Sequence, residues 1–229
     1  MIYIVIIMVV LILAYYCFKN KIKINFKTFL KKGVYVSRGT WGVYVYSGRQ
    51  GQGKTTAIVE YLKDHEKDIE IFCNIKDIKG LNYYYYEGFN NLLEIKKFLD
   101  GREKKKHQKQ VVIVYDEIFT QLDKHSKLNK DVIDFLCQMR KRKIIFLTSC
   151  QCWAELPLTF RRFCRYEIEC SLIPFFPFTI LKRVYHDAEN MIWNGDIQDF
   201  EAPILNTTIS KFRKEIATCF DTYALIKNN

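Results

Sequence analysis

Ser47 to Thr56 reads SGRQGQGKTT, and within it Gly48, four residues and then Gly53-Lys54-Thr55 give the spacing G-x-x-x-x-G-K-[ST] of a phosphate-binding loop. Each residue type has a physical task. Gly48, Gly51 and Gly53 let the backbone curl until its N–H groups converge on phosphate oxygens. Lys54 reaches the β- and γ-phosphates, Thr55 offers a hydroxyl to Mg²⁺, and Thr56 completes the nucleotide-binding set. A second group lies some sixty residues on: the apolar run Val111-Val112-Ile113-Val114-Tyr115 delivers Asp116-Glu117. Asp116 suits the ordering of Mg²⁺ and its waters, and Glu117 the polarising of an attacking water. Ile144 to Thr148 forms a further apolar run, followed by Ser149, Cys150 and Gln151. A polar residue at such a strand end suits a γ-phosphate sensor.

These groups need strands to carry them and a helix behind the loop. Trp41 to Tyr46 reads as a β-prone run before the loop, and Ala57, Ile58, Tyr61 and Leu62 recur at helical spacing after it. Ile69 to Asn74 reads as a second strand, 91–99 and 131–139 as amphipathic helices, and 166–170 and 178–185 as later strands. The stretch 186–203 reads as an acidic loop and 210–220 as polar and helix-prone. Four consecutive tyrosines, Tyr83 to Tyr86, suit either base stacking or, by alternation, two rings facing a core. The charged runs 101–110 and Arg140-Lys141-Arg142-Lys143 fit solvated faces or nucleic-acid contacts, and the latter also complements a helix C-terminus.

The chain of 229 residues, 49% hydrophobic and 15% aromatic, holds one substantial α/β domain and excludes a disordered chain. A formal charge of +11 and a pI near 9.2 point to an anionic partner, nucleic acid or an anionic membrane surface. The eight cysteines are scattered, with no C-x-x-C pair and no zinc spacing, so reduced thiols are expected rather than a disulfide framework. Ile2 to Phe18 carries no charge and is followed by Lys19, Lys21, Lys23, Lys27, Lys31 and Lys32. That order predicts a transmembrane anchor over 1–18 with the rest of the chain in the cytoplasm. A cleavable signal peptide would want its charge before the apolar run and small residues after it. The organisation expected is therefore an anchor over 1–18, a basic juxtamembrane linker over 19–40 and an ATPase domain over 41–229. The fold class expected is α/β: a P-loop NTPase (RecA-like) core with a parallel sheet flanked by helices, preceded by the transmembrane helix.

The order of parts resembles the FtsK/HerA superfamily of DNA-pumping ATPases, and more narrowly the Zot-like (zonular occludens toxin-like) assembly ATPases of filamentous phages. The narrower likeness rests on Cys73-Asn74-Ile75, the acidic strand Val111 to Glu117, the stretch MRKRKIIFLTSCQ from Met139 to Gln151, and Asp221-Thr222-Tyr223. The resemblance implies ATP and Mg²⁺ as cofactors and Gln151 as the sensor. It also implies a homo-oligomeric ring in which Arg161 or Arg162 acts as an arginine finger on a neighbour's nucleotide. DNA, the host membrane and other virion-assembly proteins are the implied partners. The activity implied is DNA translocation in virion assembly or extrusion; DNA packaging and conjugative transfer are close variants. Familiar Zot-like proteins carry their membrane segment after the ATPase domain, whereas here the apolar run comes first. A small-molecule kinase or an ATP-binding membrane scaffold are readings from other classes. A GTPase is disfavoured: no N-K-x-D motif occurs, and Asn129-Lys130-Asp131-Val132 has the wrong spacing.

Overall fold

The structure is a computed structural model, and it describes residues 2–19, 22–24, 41–101, 109–120, 122, 125, 127–195 and 199–221. The apolar run forms helix α1 (Ile2–Lys19), whose residues from Val5 to Ile12 are all exposed. Its 18 residues, at about 1.5 Å each, reach about 27 Å, short of a hydrocarbon core of about 30 Å. Among the described residues no helix is long and apolar enough to cross a membrane. The sequence expectation of a membrane-crossing helix is therefore not met among the described residues. Strand β1 (Ile22–Ile24) follows. Most of the basic linker 19–40, most of the charged loop 101–110, and Thr222 and Tyr223 lie outside the described residues.

The central elements then come in order: β2 (Gly42–Ser47), α2 (Lys54–His65), β3 (Ile69–Cys73), β4 (Tyr84–Tyr85), α3 (Leu92–Asp100), β5 (Gln110–Tyr115), α4 (Lys130–Arg142), β6 (Ile145–Ser149), the short helix α5 (Leu158–Arg161) and β7 (Cys164–Phe175). The chain closes through β8 (Phe178–Asp187), β9 (Ile192–Asn194), β10 (Asp199–Glu201), β11 (Ile204–Lys211) and α6 (Lys214–Ala217). One nine-stranded sheet has the order β1-β11-β8-β7-β2-β6-β5-β3-β4, and β9 pairs separately with β10. Strands β7, β2, β6, β5, β3 and β4 run parallel to one another. The pairs β7–β8 and β8–β11 are antiparallel. The expected parallel sheet is thus a mixed one. Its antiparallel extension comes from the long hairpin 164–187 and from 204–211, where strand pairing overrides the helix-prone look of 210 and 211. The expected loop 186–203 contributes two of the short strands, β9 and β10.

Both faces of the sheet are covered, so its strands read as continuous apolar runs. Alternation sends Val43, Val45, Ile113, Tyr115 and Phe146 to one face, against Leu92 and Ile95 of α3, Val132, Phe135 and Met139 of α4, and Trp153 and Phe160. It sends Tyr44, Tyr46, Val112, Val114, Ile145 and Leu147 to the other, against Ala57, Ile58, Tyr61 and Leu62 of α2. The basic cluster after α4 is structural. Lys143 caps the helix in the left-handed region, Arg142 pairs with Asp100, and Arg140 lies over the Trp41 ring. Of the four tyrosines, Tyr86 is buried and donates to Val114 O, while Tyr84 stacks on Phe72 at the sheet edge with one side exposed.

Behind the phosphate loop, α2 is tied to the C-terminal segment by a buried ionic cluster. Glu60 meets Arg183 of β8 at 3.2 Å and Arg213 at 2.6 Å, and Arg213 also reaches Asp64 at 3.2 Å. Glu60, Arg183 and Arg213 are all buried.

Candidate nucleotide-binding site

Parallel strands put their C-terminal ends on one edge, and ligands of open α/β sheets bind there, where the strand order reverses. Here β2 lies between β6 and β7, and the chain leaves β2 for β3 on one side and crosses from β6 to β7 over the other. The phosphate loop follows β2 at that point. Gly48, Gly51 and Gly53 have φ of 133°, 77° and 81°, conformations that side-chain-bearing residues rarely adopt. Gly48 also needs its missing Cβ for space, since a methyl group there would sit 2.7 Å from Cys170 O. Gln52 anchors the loop to β7 by accepting the Leu172 N–H at 2.7 Å.

Gly53 caps α2 in the left-handed region, so the positive end of the helix dipole faces the loop. The Lys54 ammonium donates to Gly48 O at 2.8 Å and to Arg49 O at 3.1 Å, which holds it inside the loop. Thr55 faces the acidic strand: its hydroxyl donates to Asp116 Oδ2 at 2.7 Å. Thr56 is buried at the helix start.

Strand β5, carrying Asp116, is not the neighbour of β2; β6 lies between them. The tip of β6 therefore projects between the loop and the acidic pair, and its last residue is Ser149. The Ser149 hydroxyl donates to Asp116 Oδ1 at 2.5 Å and accepts the Glu117 N–H at 2.9 Å. From the other flank, Asn74 just past β3 grips the Asp116 peptide. Its Oδ1 accepts the Asp116 N–H at 2.7 Å, and its Nδ2 donates to Asp116 O at 3.2 Å. Glu117 follows with φ of 55°, a strained value for a residue with a side chain.

Burial pushes both acids above the usual carboxylate range. For Asp116 the burial is opposed first by the Ser149 and Thr55 hydrogen bonds and then by the Lys54 charge. For Glu117 the burial is reinforced by the Asp116 charge and opposed by Lys54. A buried carboxylate and a threonine hydroxyl converging with a lysine alongside make a hard-oxygen donor set that suits Mg²⁺. Such an ion keeps several waters and phosphate oxygens as ligands, so it needs few protein groups. Among the described residues no cluster of three His, Cys, Asp or Glu side chains could hold a metal by itself.

Gln151, the sensor implied by resemblance, is exposed on the loop after β6, and the β6 residue that reaches the acids is Ser149. The arginines lie elsewhere. Register pairs Val43 with Cys164 and Ser47 with Glu169, so Arg161 and Arg162 sit before the N-terminal end of β7, at the sheet edge opposite the loop. Five residues of strand put them roughly 17 Å from it along the strand direction alone. Arg161 is half-buried, with its guanidinium 4.7 Å from the Phe200 ring centroid, and burial lowers its pKa. Arg162 is exposed, just past α5 and ahead of the strand. Sequence reasoning did not assign Asn74 or Ser149 to the site. Their one signal was position, each a polar residue at the end of an apolar strand. Among the described residues Cys73, Cys150, Cys164, Cys170 and Cys219 are free and buried, and Cys137 and Cys152 are free and exposed.

No protein-family model and no curated protein matches the chain. Its fold is similar to that of the N-terminal domain of zonular occludens toxin from Neisseria meningitidis, at 14% identity and a TM-score of 0.52, over 80% of this chain and 100% of that one. A weaker likeness is to the genome packaging NTPase B204 from Sulfolobus turreted icosahedral virus 2, in complex with ATP-gammaS (13% identity, 70% and 95% covered, TM-score 0.47). A KaiC-like protein from Pyrococcus horikoshii is also similar (12%, 75% and 89%, 0.43). With its phosphate loop, acidic strand and intervening β6 in place, the chain has the α/β fold of a P-loop NTPase.

Proposed function

We propose that the protein is a Mg²⁺-dependent ATPase, held at the host cytoplasmic membrane, that moves phage DNA during virion assembly or extrusion. The observation that carries the hydrolytic part is the 2.7 Å contact between Thr55 and Asp116, with Glu117 next in the chain. The loop N–H groups and Lys54 bind the phosphates and offset their charge as the phosphoryl group leaves. Thr55 and Asp116 would hold Mg²⁺, which would supply positive charge to offset that developing on the phosphates. Glu117, partly buried and raised in pKa, accepts a proton from the attacking water. Ser149 keeps the Asp116 carboxylate turned toward Thr55.

The wider role rests on other supports. A net charge of +11 favours DNA, and the likeness to the toxin domain is one of fold. Helix α1, apolar on every side and followed by lysines, supports attachment to a membrane, with the domain on the cytoplasmic side. Arg162 stands far from its own loop, which supports a finger that acts on a neighbouring subunit in a ring; Gln151 would sense the γ-phosphate there.

The test is ATP turnover by the full chain in lipid nanodiscs, with and without single- and double-stranded DNA. Turnover that DNA accelerates, and that Lys54→Ala and Arg162→Ala both abolish, supports the motor. Phosphate transfer to a metabolite would replace it with a kinase, and ATP binding without turnover with a scaffold.

A further inference from the structure

Asn74 makes an unusual pair of bonds. Its side chain holds the N–H and the carbonyl of one peptide residue, Asp116, at 2.7 and 3.2 Å, and touches neither carboxylate oxygen. Its own N–H donates to Val114 O at 3.3 Å, which also accepts the buried Tyr86 hydroxyl at 2.7 Å. The end of β5 is thus fixed from the β3 side over two successive turns of its pleat. Immediately beyond, Glu117 enters the left-handed region at φ 55°. A non-glycine residue there is strained and persists only where its surroundings hold it. Three residues do so: Asn74 on the preceding residue, Ser149 on the Glu117 N–H, and Thr120, whose hydroxyl and N–H donate to Glu117 O at 2.9 and 3.1 Å.

The Asp116 carboxylate has different supports. Thr55 and Ser149 set it, and both are independent of Asn74. Ser149 therefore serves both acids, whereas Asn74 acts on the backbone between them and not on the carboxylate.

We propose that Asn74 is a positioning residue for hydrolysis: it sets the backbone from which Glu117 reaches its water, and leaves binding of the nucleotide and its metal alone. This rests on the hydrolase reading above. The direction of the Glu117 side chain depends on the ψ of Asp116 and the φ of Glu117, and Asn74 grips the residue that carries the first of these. A misplacement of about 1 Å at a reacting group costs up to roughly a hundredfold in rate.

The experiment measures ATP turnover and Mg·ATP affinity in the full chain for Asn74→Ala and Asn74→Asp, alone and on a Glu117→Gln background. Asn74→Asp keeps the acceptor for the Asp116 N–H and loses the donor to Asp116 O. The expected result is a fall in kcat of roughly ten- to hundredfold for Asn74→Ala, a smaller fall for Asn74→Asp, and KM and Kd within about twofold of wild type in both. On the Glu117→Gln background, Asn74→Ala should remove nothing further, because it acts through Glu117. Unchanged kcat, a matching loss of nucleotide affinity, or a loss that adds in full to that of Glu117→Gln would each overturn the proposal. If Asn74→Ala does not fold, the kcat–KM split of Asn74→Asp decides. A wild-type chain without turnover would overturn the hydrolase reading and this one together, whereas an active wild type with an equally active Asn74→Ala overturns this one alone.

Discussion

Ser149 stands between the two acids: its hydroxyl donates to Asp116 Oδ1 at 2.5 Å while its oxygen accepts the backbone N–H of Glu117 at 2.9 Å. One side chain at the tip of β6 thus orients the metal-side carboxylate and fixes the peptide of the water-side glutamate. Removing it leaves a buried carboxylate one donor short and frees the Glu117 N–H. Ser149→Ala should lower turnover roughly ten- to hundredfold. It should also cost about 1.5–3 kcal/mol of stability, the range for a hydrogen bond to a charged group. Steady-state kinetics beside urea unfolding checks both, and Ser149→Thr, which keeps the hydroxyl, should recover part of each.

The loop glycines separate two requirements. Gly48 combines φ 133° with a Cβ position 2.7 Å from Cys170 O, whereas Gly51, at φ 77°, has open space around it. Gly48→Ala must displace backbone and should abolish nucleotide binding. Gly51→Ala meets only the left-handed strain, about 1–2 kcal/mol, and should bind more weakly but measurably. Titration with a fluorescent ATP analogue distinguishes them; equal losses would show that strain alone matters.

The buried cluster around Glu60 joins the helix that opens with Lys54 to the antiparallel part of the sheet. Breaking one partner of a buried ion pair costs about 3–5 kcal/mol, because the charge left behind has no counter-charge. Glu60→Ala should lose about that much in urea unfolding, since it strands Arg183, and Arg213 retains only Asp64. A double replacement of Glu60 and Arg183 by apolar residues should recover part of the loss.

Much of this was legible in the sequence, and what was not has physical reasons. Lys54, Thr55, Asp116 and Glu117 announce themselves because the chemistry demands those types at a set spacing next to apolar strands, and the structure brings them together. Asn74 and Ser149 serve the site through backbone contacts made across strands, which no local spacing records. The hairpin strands were legible as 166–170 and 178–185, whereas β11 pairs with a strand some twenty residues earlier, so 210 and 211 took a helical reading. Helix α1 forms where the apolar run lies, and among the described residues no helix is long and apolar enough to cross a membrane.

On the exposed flank of β7, His186 lies 3.6 Å from Glu169. The polar contact with the Glu169 carboxylate raises the pKa of His186 and, reciprocally, that with His186 lowers the pKa of Glu169. The histidine contribution is full below its ordinary value of about 6.5 and is lost as pH rises through the raised one. The glutamate contribution is full above about 4.5 and is lost as pH falls through the depressed one. The pair should therefore stabilise most between about pH 4.5 and 6.5. Melting temperatures of His186→Gln and wild type should differ most inside that window and converge toward pH 8, with NMR titration of His186 checking the direction of its shift.

The most direct measurement of the central claim follows ATP on the Glu117→Gln protein. Nucleotide affinity in the presence of Mg²⁺ should match wild type within a few-fold, because Lys54, Thr55 and Asp116 are untouched, while single-turnover hydrolysis should fall by roughly 10²–10⁴, the contribution of a general base. Hydrolysis at the wild-type rate would contradict the account, since Glu117 would then have no part in activating water.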